Sequence, residues 1–325
     1  ADGALSAKTK DLIALAVASL ASLPVFAQSG VTIYGLVDMG YKWSGDNIDH
    51  RISSGSALDS GMSAGSRLGF KGTEDMGGGL KAGFHLEHGI SADTGLATQS
   101  AFWARQSELF VGGNFGTIRL GNFTSEAYYA TADYVSNHNH DTGTSSDAFY
   151  AYVGRNTNKV AYRLPAMGGF SLEGAVALHE QTSGGKHSYD LAANYDAGPL
   201  HLGAGYEKNG NANQFAVRAF YELGDFALGG YVQRDKNAYA AGNRTTVRLS
   251  AMYTLGGLTE FHANWGHAGN YSDVSGDSSA NQFTLGVNYK LSKRTKVYGF
   301  YTKVDDKGTI YGDFSSMAVG VRHNF

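Results

Sequence analysis

Apolar and polar residues alternate along most of the chain after residue 30. In VTIYGLVDMGYKW, residues 31–43, a period of two puts Val, Ile, Met, Tyr and Trp side chains on one face of an extended chain. The other face carries polar side chains that include Asp38 and Lys42. This pattern is typical of a β-strand with one apolar face. About sixteen such segments recur up to the C-terminus, which predicts an all-β chain.

The connections between these segments alternate in length. Short links such as EDMGGG (74–79), AGP (197–199) and SKR (292–294) are separated by longer polar segments such as SGDNIDHRISSGSALDSGMSAG (44–65). Short turns at one rim and long loops at the other are the plan of an outer-membrane barrel. We therefore expect one domain over residues 28–325, a transmembrane antiparallel β-barrel of about sixteen strands.

The charged residues within the strands indicate what the barrel encloses. A charged side chain that faces hydrocarbon at mid-depth costs roughly 2–4 kcal/mol, so charged residues on the strands should face the interior. A barrel of about sixteen strands is wide enough to hold an aqueous channel. We expect a water-filled lumen, with a wall that includes Asp38, Lys71, Arg67, Arg119, Arg163, Arg218, Arg248 and Arg322.

One connection differs from the others. Residues 123–154 form a long segment with Glu126, Asp133, Asp141 and Asp147 but without lysine or arginine. An acidic loop opposite an arginine-rich wall would set a transverse field across the lumen, and charged rings of this kind select among solutes in pores. An acidic loop that only faces solvent is the alternative.

The N-terminal segment has the pattern of a secretory leader. Lys8 and Lys10 precede an apolar run from Leu12 to Leu23, and a small residue, Ala27, ends the segment. The run is too short to span a membrane as a helix. We expect residues 1–27 to be a signal peptide, in which residues 1–7 are not part of the natural leader. The mature chain is expected to begin near Gln28.

Composition excludes several classes of function. The chain has no cysteine, and therefore neither a disulfide nor a thiolate metal site nor a cysteine nucleophile. Its formal charge of −3 and pI of about 6.4 give no basic surplus for nucleic acid. No cofactor is expected.

Two motifs raise the question of an enzyme. GMSAG (61–65) fits G-x-S-x-G, but a nucleophile elbow needs a strand before it and a helix after it, whereas here a polar loop precedes and a strand follows. NHNHD (137–141) offers His138, His140 and Asp141 as metal ligands, although adjacent loop histidines are a weak signal. A barrel phospholipase and a surface adhesin remain the alternatives to a pore.

Several segments together resemble the general porins of the Gram-negative outer membrane, of the betaproteobacterial type. These segments are VTIYGLVDMG, SRLGFKGTEDMGGGLKAGFHLE, GNFGTIRLG, LSKRT and the terminal VGVRHNF. The pattern R-x-G-F-K-G-T-E-D-x-G-x-G-L-K-A at 67–82 is the most specific, because it combines a hairpin with its turn. The similarity covers essentially the whole mature chain.

The resemblance implies a passive diffusion porin with no turnover: a sixteen-stranded barrel, a homotrimer in outer-membrane lipid and lipopolysaccharide, with its third long loop folded inward as a constriction. It implies that the barrel-assembly machinery reads the terminal Phe325. Arg67 and Arg155 match the basic wall of the family, and Glu126 and Asp133 are the acids expected at the constriction. Asn122 stands where many relatives have arginine, and Arg119 on the same strand would partly replace that charge.

Overall fold

Sixteen antiparallel strands form the barrel in the computed structural model, which describes residues 30–45, 55–137, 148–308 and 312–325. In chain order the barrel strands are β1 Thr32–Gly45, β2 Arg67–Gly77, β3 Leu80–Ser91, β4 Gln106–Gly113, β5 Gly116–Asn122, β6 Lys159–Arg163, β7 Phe170–Ala177, β8 Ser188–Ala197, β9 Leu200–Asn209, β10 Ala212–Leu223, β11 Phe226–Lys236, β12 Asn243–Leu255, β13 Thr259–Ala268, β14 Ala280–Lys290, β15 Thr295–Asp306 and β16 Phe314–Asn324. The expected all-β architecture is confirmed.

The sheet closes between its first and last strands. β1 pairs with β16 over Leu36–Gly45 and with β2 over Thr32–Leu36. Past the end of β16, the Phe325 N–H donates to the Gly35 carbonyl at 3.0 Å, and the Gly35 N–H donates to the Phe325 carbonyl at 3.1 Å. The last residue of the chain therefore belongs to the seam, and closure leaves no free edge at β1 or β16.

Two short strands outside the barrel lie in the long connections. Gly55–Ser60 pairs with the second half of β1, and Leu96–Ala97 pairs with the end of β3. Neither is one of the strands that span the membrane, so the predicted number of about sixteen spanning strands is confirmed.

The rims are sorted by loop length, with one exception. At the short-turn rim, β2 and β3 are joined by Gly78 and Gly79 alone, both with positive φ (62° and 81°). At the opposite rim most connections are long, but β9 and β10 are joined only by Gly210, with φ 63°, and Asn211. A glycine in the left-handed region makes so tight a turn possible there.

The two faces of the strands differ as the alternation predicts. On β10 the outward side chains Phe215 and Val217 are 51% and 45% exposed, whereas the inward Arg218 is 3% exposed. β14 repeats this pattern, with Leu285 exposed and Asn288 buried. The exposed apolar face is the surface that lipid covers, and the polar face lines the interior.

The connection from β5 to β6, residues 123–158, contains helical structure. Helix α1 spans Glu126–Ala130, and a 3-10 helix follows at Asp133–Val135. The Ser125 hydroxyl oxygen accepts a hydrogen bond from the Ala127 N–H and so caps the helix N-terminus. We call residues 123–158 the inward loop, because α1 packs against the inner faces of β8 and β9.

Candidate pore constriction

The inward loop lies against a part of the wall that lacks side chains. Gly203 and Gly205 of β9 face α1, and a Cβ at Gly205 would lie 2.7 Å from the carbonyl oxygen of Ala127. At Gly203 an added Cβ would press against the carbonyl oxygen of Ala130. Glycine at these two positions therefore allows the helix backbone to approach the barrel backbone closely.

Arg218 of β10 holds the C-terminal end of α1. Its Nε donates to the Ala130 carbonyl at 2.8 Å, and its guanidinium carbon lies 3.6 Å from the centre of the Tyr134 ring. A cation at the C-terminus of a helix is favourable because the carbonyl groups there are unpaired. Further on, the Ser250 hydroxyl donates to the Val135 carbonyl at 2.7 Å.

The second half of the inward loop is fastened by amide side chains of the wall. Gln233 accepts from the Ala151 N–H at 2.8 Å and donates to the Ala151 carbonyl at 3.1 Å. Gln214 donates to the Tyr150 hydroxyl at 2.9 Å. Burial raises the pKa of the Tyr150 phenol well above its usual value, so this acceptor stays neutral. These contacts confirm that the third long loop folds into the barrel.

Two arginines and three glutamates form a charge cluster at the base of the inward loop. Arg119 of β5 lies 2.6 Å from Glu108, 2.7 Å from Glu173 and 3.0 Å from Glu126. Arg163 of β6 lies 3.1 Å from Glu126 and 2.8 Å from Glu173. The structure thus brings together Arg119, Arg163 and Glu126, but the carboxylates outnumber the cations by one.

A second group of charges lies on β2 and β3. The Arg67 Nε donates to the Gly65 carbonyl at 2.8 Å, and its Nη1 is 3.9 Å from Glu87 Oε1. Arg105, which precedes β4, donates to the same Glu87 oxygen at 2.7 Å. On β2, the Lys71 Nζ lies 5.0 Å from the centre of the Tyr34 ring. Arg67 and Lys71 therefore lie on the inner wall.

Arg155 lies away from both groups. Its guanidinium donates to the carbonyl of Ala177, at the loop-side end of β7, and to the carbonyl of Lys186, in the connection that follows β7. The backbone carbonyls at that rim hold the side chain, and we leave Arg155 out of the proposed constriction. Asn122 donates to the carbonyls of Trp103 and Ala104 and so fixes the segment before β4.

Asp38 holds the G-x-S-x-G segment, residues 61–65, against the inner wall. Its Oδ2 accepts from the Ser63 N–H at 2.6 Å and the Ala64 N–H at 2.8 Å, and its Oδ1 accepts from the Tyr298 hydroxyl. The segment is a turn held against the inner wall, and β2 rather than a helix follows it. Ser63 is fully buried, which fits a structural residue rather than an exposed nucleophile.

The remaining wall arginines face the interior but not always open water. Arg248 is fully buried, with its guanidinium carbon 5.6 Å from the centre of the Phe149 ring in the inward loop, and Nη1 2.8 Å from Asn264 Oδ1. The inward loop covers Arg218 and Arg248, which contact Ala130, Tyr134 and Phe149 of that loop. Arg322 of β16 is half-buried near the short-turn rim.

Other residues of interest were not singled out from sequence. Glu108 and Glu173 lie at inward positions of β4 and β7, and alternation alone identifies them as wall residues but not as partners of Arg119. Asp133 begins the 3-10 helix and is half-buried. The candidate ligands His138, His140 and Asp141 lie outside the described residues, as do residues 1–27.

Comparison with known proteins gives the family. The model of the Gram-negative porin family matches residues 14–309. Outer membrane porin protein 32 of Delftia acidovorans is 32% identical, with 97% of this chain and 99% of that protein covered. The major outer membrane protein P.IB of Neisseria lactamica is 29% identical, with the same coverage of 97% and 99%.

Solved structures agree with the barrel. The anion-selective porin from Comamonas acidovorans superposes with a TM-score of 0.72 at 27% identity and covers 92% of this chain and 100% of its own. OmpF of Salmonella typhi, in complex with daunomycin, has a TM-score of 0.74 at 15% identity, covers 91% and 98%, and shows the fold alone. With a closed sixteen-stranded barrel, an inward loop and a family match over most of its length, the chain belongs to the Gram-negative porins: it is an outer-membrane channel for passive diffusion, not an enzyme.

Proposed function

We propose that small hydrophilic solutes and ions cross the barrel between the inward loop and the inner faces of β2 and β3. The fastening of the loop to β8–β12 is the observation that supports this most directly, because it fixes a partition across the lumen. Glu126 and Asp133 lie on the loop side of the proposed passage, and Arg67 and Lys71 lie on the wall side. Filtration by size and charge then needs no cofactor and no turnover.

We further propose that Arg67, rather than Arg119, determines the ion preference. Arg119 and Arg163 lie within salt-bridge distance of three glutamates, so their cluster offers a passing anion little net attraction. The Arg67 guanidinium is 3.9 Å from its acidic neighbour Glu87, which Arg105 contacts more closely. Two cations, Arg67 and Arg105, thus lie beside the Glu87 carboxylate, whereas three carboxylates lie beside Arg119 and Arg163, so the balance of charge near Arg67 is the more positive one.

Replacement of Arg67 by Ser should shift the pore toward cations. One charge about 4 Å from an ion in water contributes about 1 kcal/mol, which sets an upper limit of about fivefold on the change in permeability ratio. The measurement is the reversal potential of purified protein in planar bilayers under a salt gradient. The shift should shrink as salt rises, because the Debye length falls from about 10 Å at 0.1 M to about 3 Å at 1 M.

Arg155→Ser is the matched control, since it removes the same charge at the loop rim. A shift as large as that of Arg67→Ser would show that net charge, not position, determines selectivity. A wild-type protein that inserts but produces no conductance steps would contradict the proposed passage itself.

For export and assembly, we propose cleavage of residues 1–27, barrel insertion through the assembly machinery and a homotrimer in contact with lipopolysaccharide. The leader pattern and the family support these steps. The mass of protein extracted from outer membranes should correspond to an N-terminus near Gln28, and cross-linking in the same membranes should give a trimer. A monomeric product that retains residues 8–27 would contradict both expectations.

A further inference from the structure

A small basic cavity lies at the short-turn rim, at the end of the barrel opposite the long loops. Its volume is about 170 Å³, and the turn between β14 and β15 forms part of its wall. The charged residues that line it are Glu260, Lys290, Lys293, Arg294, Lys296 and Arg322. Five cations thus surround one carboxylate.

Three of these cations form a row across adjacent strands. Lys290 of β14 lies directly opposite Lys296 of β15, and Lys296 lies directly opposite Arg322 of β16. Directly opposed side chains on neighbouring strands have Cβ atoms about 4.5–5.5 Å apart, and like charges in such positions are destabilising. Two successive like-charge pairs in one row therefore call for a compensating negative charge.

The nearby acids supply this charge only at the ends of the row. Glu260 lies 2.8 Å from Lys290 and also accepts from Asn288 at 3.1 Å. Asp38 lies directly opposite Arg322, and its oxygens also accept from Tyr298 and from the N–H groups of Ser63 and Ala64. The Arg322 Nε donates to Asn324 Oδ1 at 3.2 Å. Within the described part of the chain, no carboxylate lies within salt-bridge distance of Lys296.

The row faces the lumen rather than the lipid. On β14 the side chains that flank Lys290, Tyr289 and Leu291, are 44% and 59% exposed on the outer surface, so Lys290 points inward. The exposed turn residues Lys293 and Arg294 extend the positive charge to the rim. An anion that approaches from the side of the short turns would meet these two residues first and then the row.

We propose that this cavity binds a phosphate group. Lysine and arginine supply charge-assisted donors from three strands and a turn, and such donors match a compact oxyanion with several acceptor oxygens. The site differs from the proposed constriction in its position and in its residues. The phosphate group belongs to a solute that enters from the periplasm or to a lipid headgroup at the rim.

The test uses inorganic pyrophosphate as the probe and the purified, detergent-solubilised full protein. Isothermal titration calorimetry at low salt should show binding to the wild type and a Kd about tenfold weaker for Lys296→Gln, as expected when one charge-assisted hydrogen bond is lost. The double variant Lys293→Gln/Arg294→Gln, in an exposed turn, should weaken binding without risk to the barrel. Lys208→Gln, which removes one charge at the loop-side end of β9, is the matched control and should leave the Kd unchanged.

Two further measurements identify the source of the phosphate group and the rim at which it binds. Displacement of pyrophosphate by phosphatidylglycerol in mixed micelles would assign the phosphate to a headgroup, and its absence would assign it to a solute. Pyrophosphate in planar bilayers should reduce current from the short-turn side at lower concentration than from the loop side. The proposal would be overturned if the wild type did not bind pyrophosphate, or if Lys208→Gln weakened binding as much as Lys296→Gln does. A wild-type protein that binds pyrophosphate but conducts no current in its absence would contradict the proposed passage and not the phosphate site.

Discussion

At the scale of single residues, Arg119 shows how the interior of the barrel accommodates charge. Its guanidinium contacts carboxylates from β4, from β7 and from α1, and Arg119 as a whole is 8% exposed. A buried cation of this kind is stable only while its partners remain. The same contacts join the base of the inward loop to the wall, so this ion cluster is both an electrostatic and a structural element.

Removal of this charge should destabilise the protein strongly. In Arg119→Met, Glu108 and Glu173 would remain buried without their closest cation, and loss of one partner of a buried ion pair costs about 3–5 kcal/mol. The measurement is urea unfolding of the folded protein in micelles, followed by tryptophan fluorescence. Arg119→Met/Glu173→Gln should recover part of the loss, because it removes one of the uncompensated charges. An unfolding midpoint equal to that of the wild type would contradict the role given to Arg119.

At the scale of elements, the inward loop is stabilised by the wall rather than by its own helix. α1 has five residues, which is too short to be stable alone. Hydrogen bonds with the side chains of Arg218, Gln214, Gln233 and Ser250 replace the partners that the backbone and side chains of the inward loop would otherwise find in water. The position of the loop in the lumen therefore depends on a few side chains of β10–β12.

Replacement of Gln233 by Leu should loosen the second half of the inward loop. The Ala151 N–H and carbonyl would both lose their side-chain partner, and unpaired buried backbone groups cost about 1–3 kcal/mol each. We expect noisier single-channel current and faster cleavage of the loop by added protease. Asn288→Leu is the control, because Asn288 is equally buried but donates to Glu260 of the wall. Equal noise in both variants would assign the effect to the barrel rather than to the loop.

At the scale of the whole molecule, closure depends on the pairing of β1 with β16 and on the terminal residue. Phe325 exchanges two backbone hydrogen bonds with Gly35, and its ring lies over that glycine. Replacement of Phe325 by Ala would keep the backbone bonds and remove the ring. Packing loss alone would cost roughly 1.5–3 kcal/mol, which is small for a sheet of this size.

If Phe325 is also recognised during assembly, Phe325→Ala should fail in cells more than in vitro. We expect a marked drop in outer-membrane yield but near-normal refolding of urea-denatured protein into detergent. Val321→Ala, on the lipid-facing side of the same strand, serves as the control. Parallel losses in cells and in refolding would reduce the role of Phe325 to packing.

Sequence predicted the strands well because alternation is a local property. The alternation with a period of two predicts inward positions for Asp38, Arg119 and Arg218, and all three side chains are buried. Their partners could not be predicted, because Glu173 is 54 residues from Arg119 and meets it only through the register of β5, β6 and β7. Arg155 illustrates the same limit, since nothing local indicates that carbonyls of the rim would hold it.

The glycines under α1 have a consequence for how this channel can evolve. A single-base change converts a glycine codon to alanine, and at Gly203 or Gly205 the new methyl group would push α1 away from the wall. The helix would then move toward the middle of the lumen and narrow it, although neither glycine is charged or faces the passing solute. Reduced uptake of a bulky solute can thus arise from a mutation in a strand that carries none of the charges of the passage, with the acidic and basic side chains of the passage unchanged.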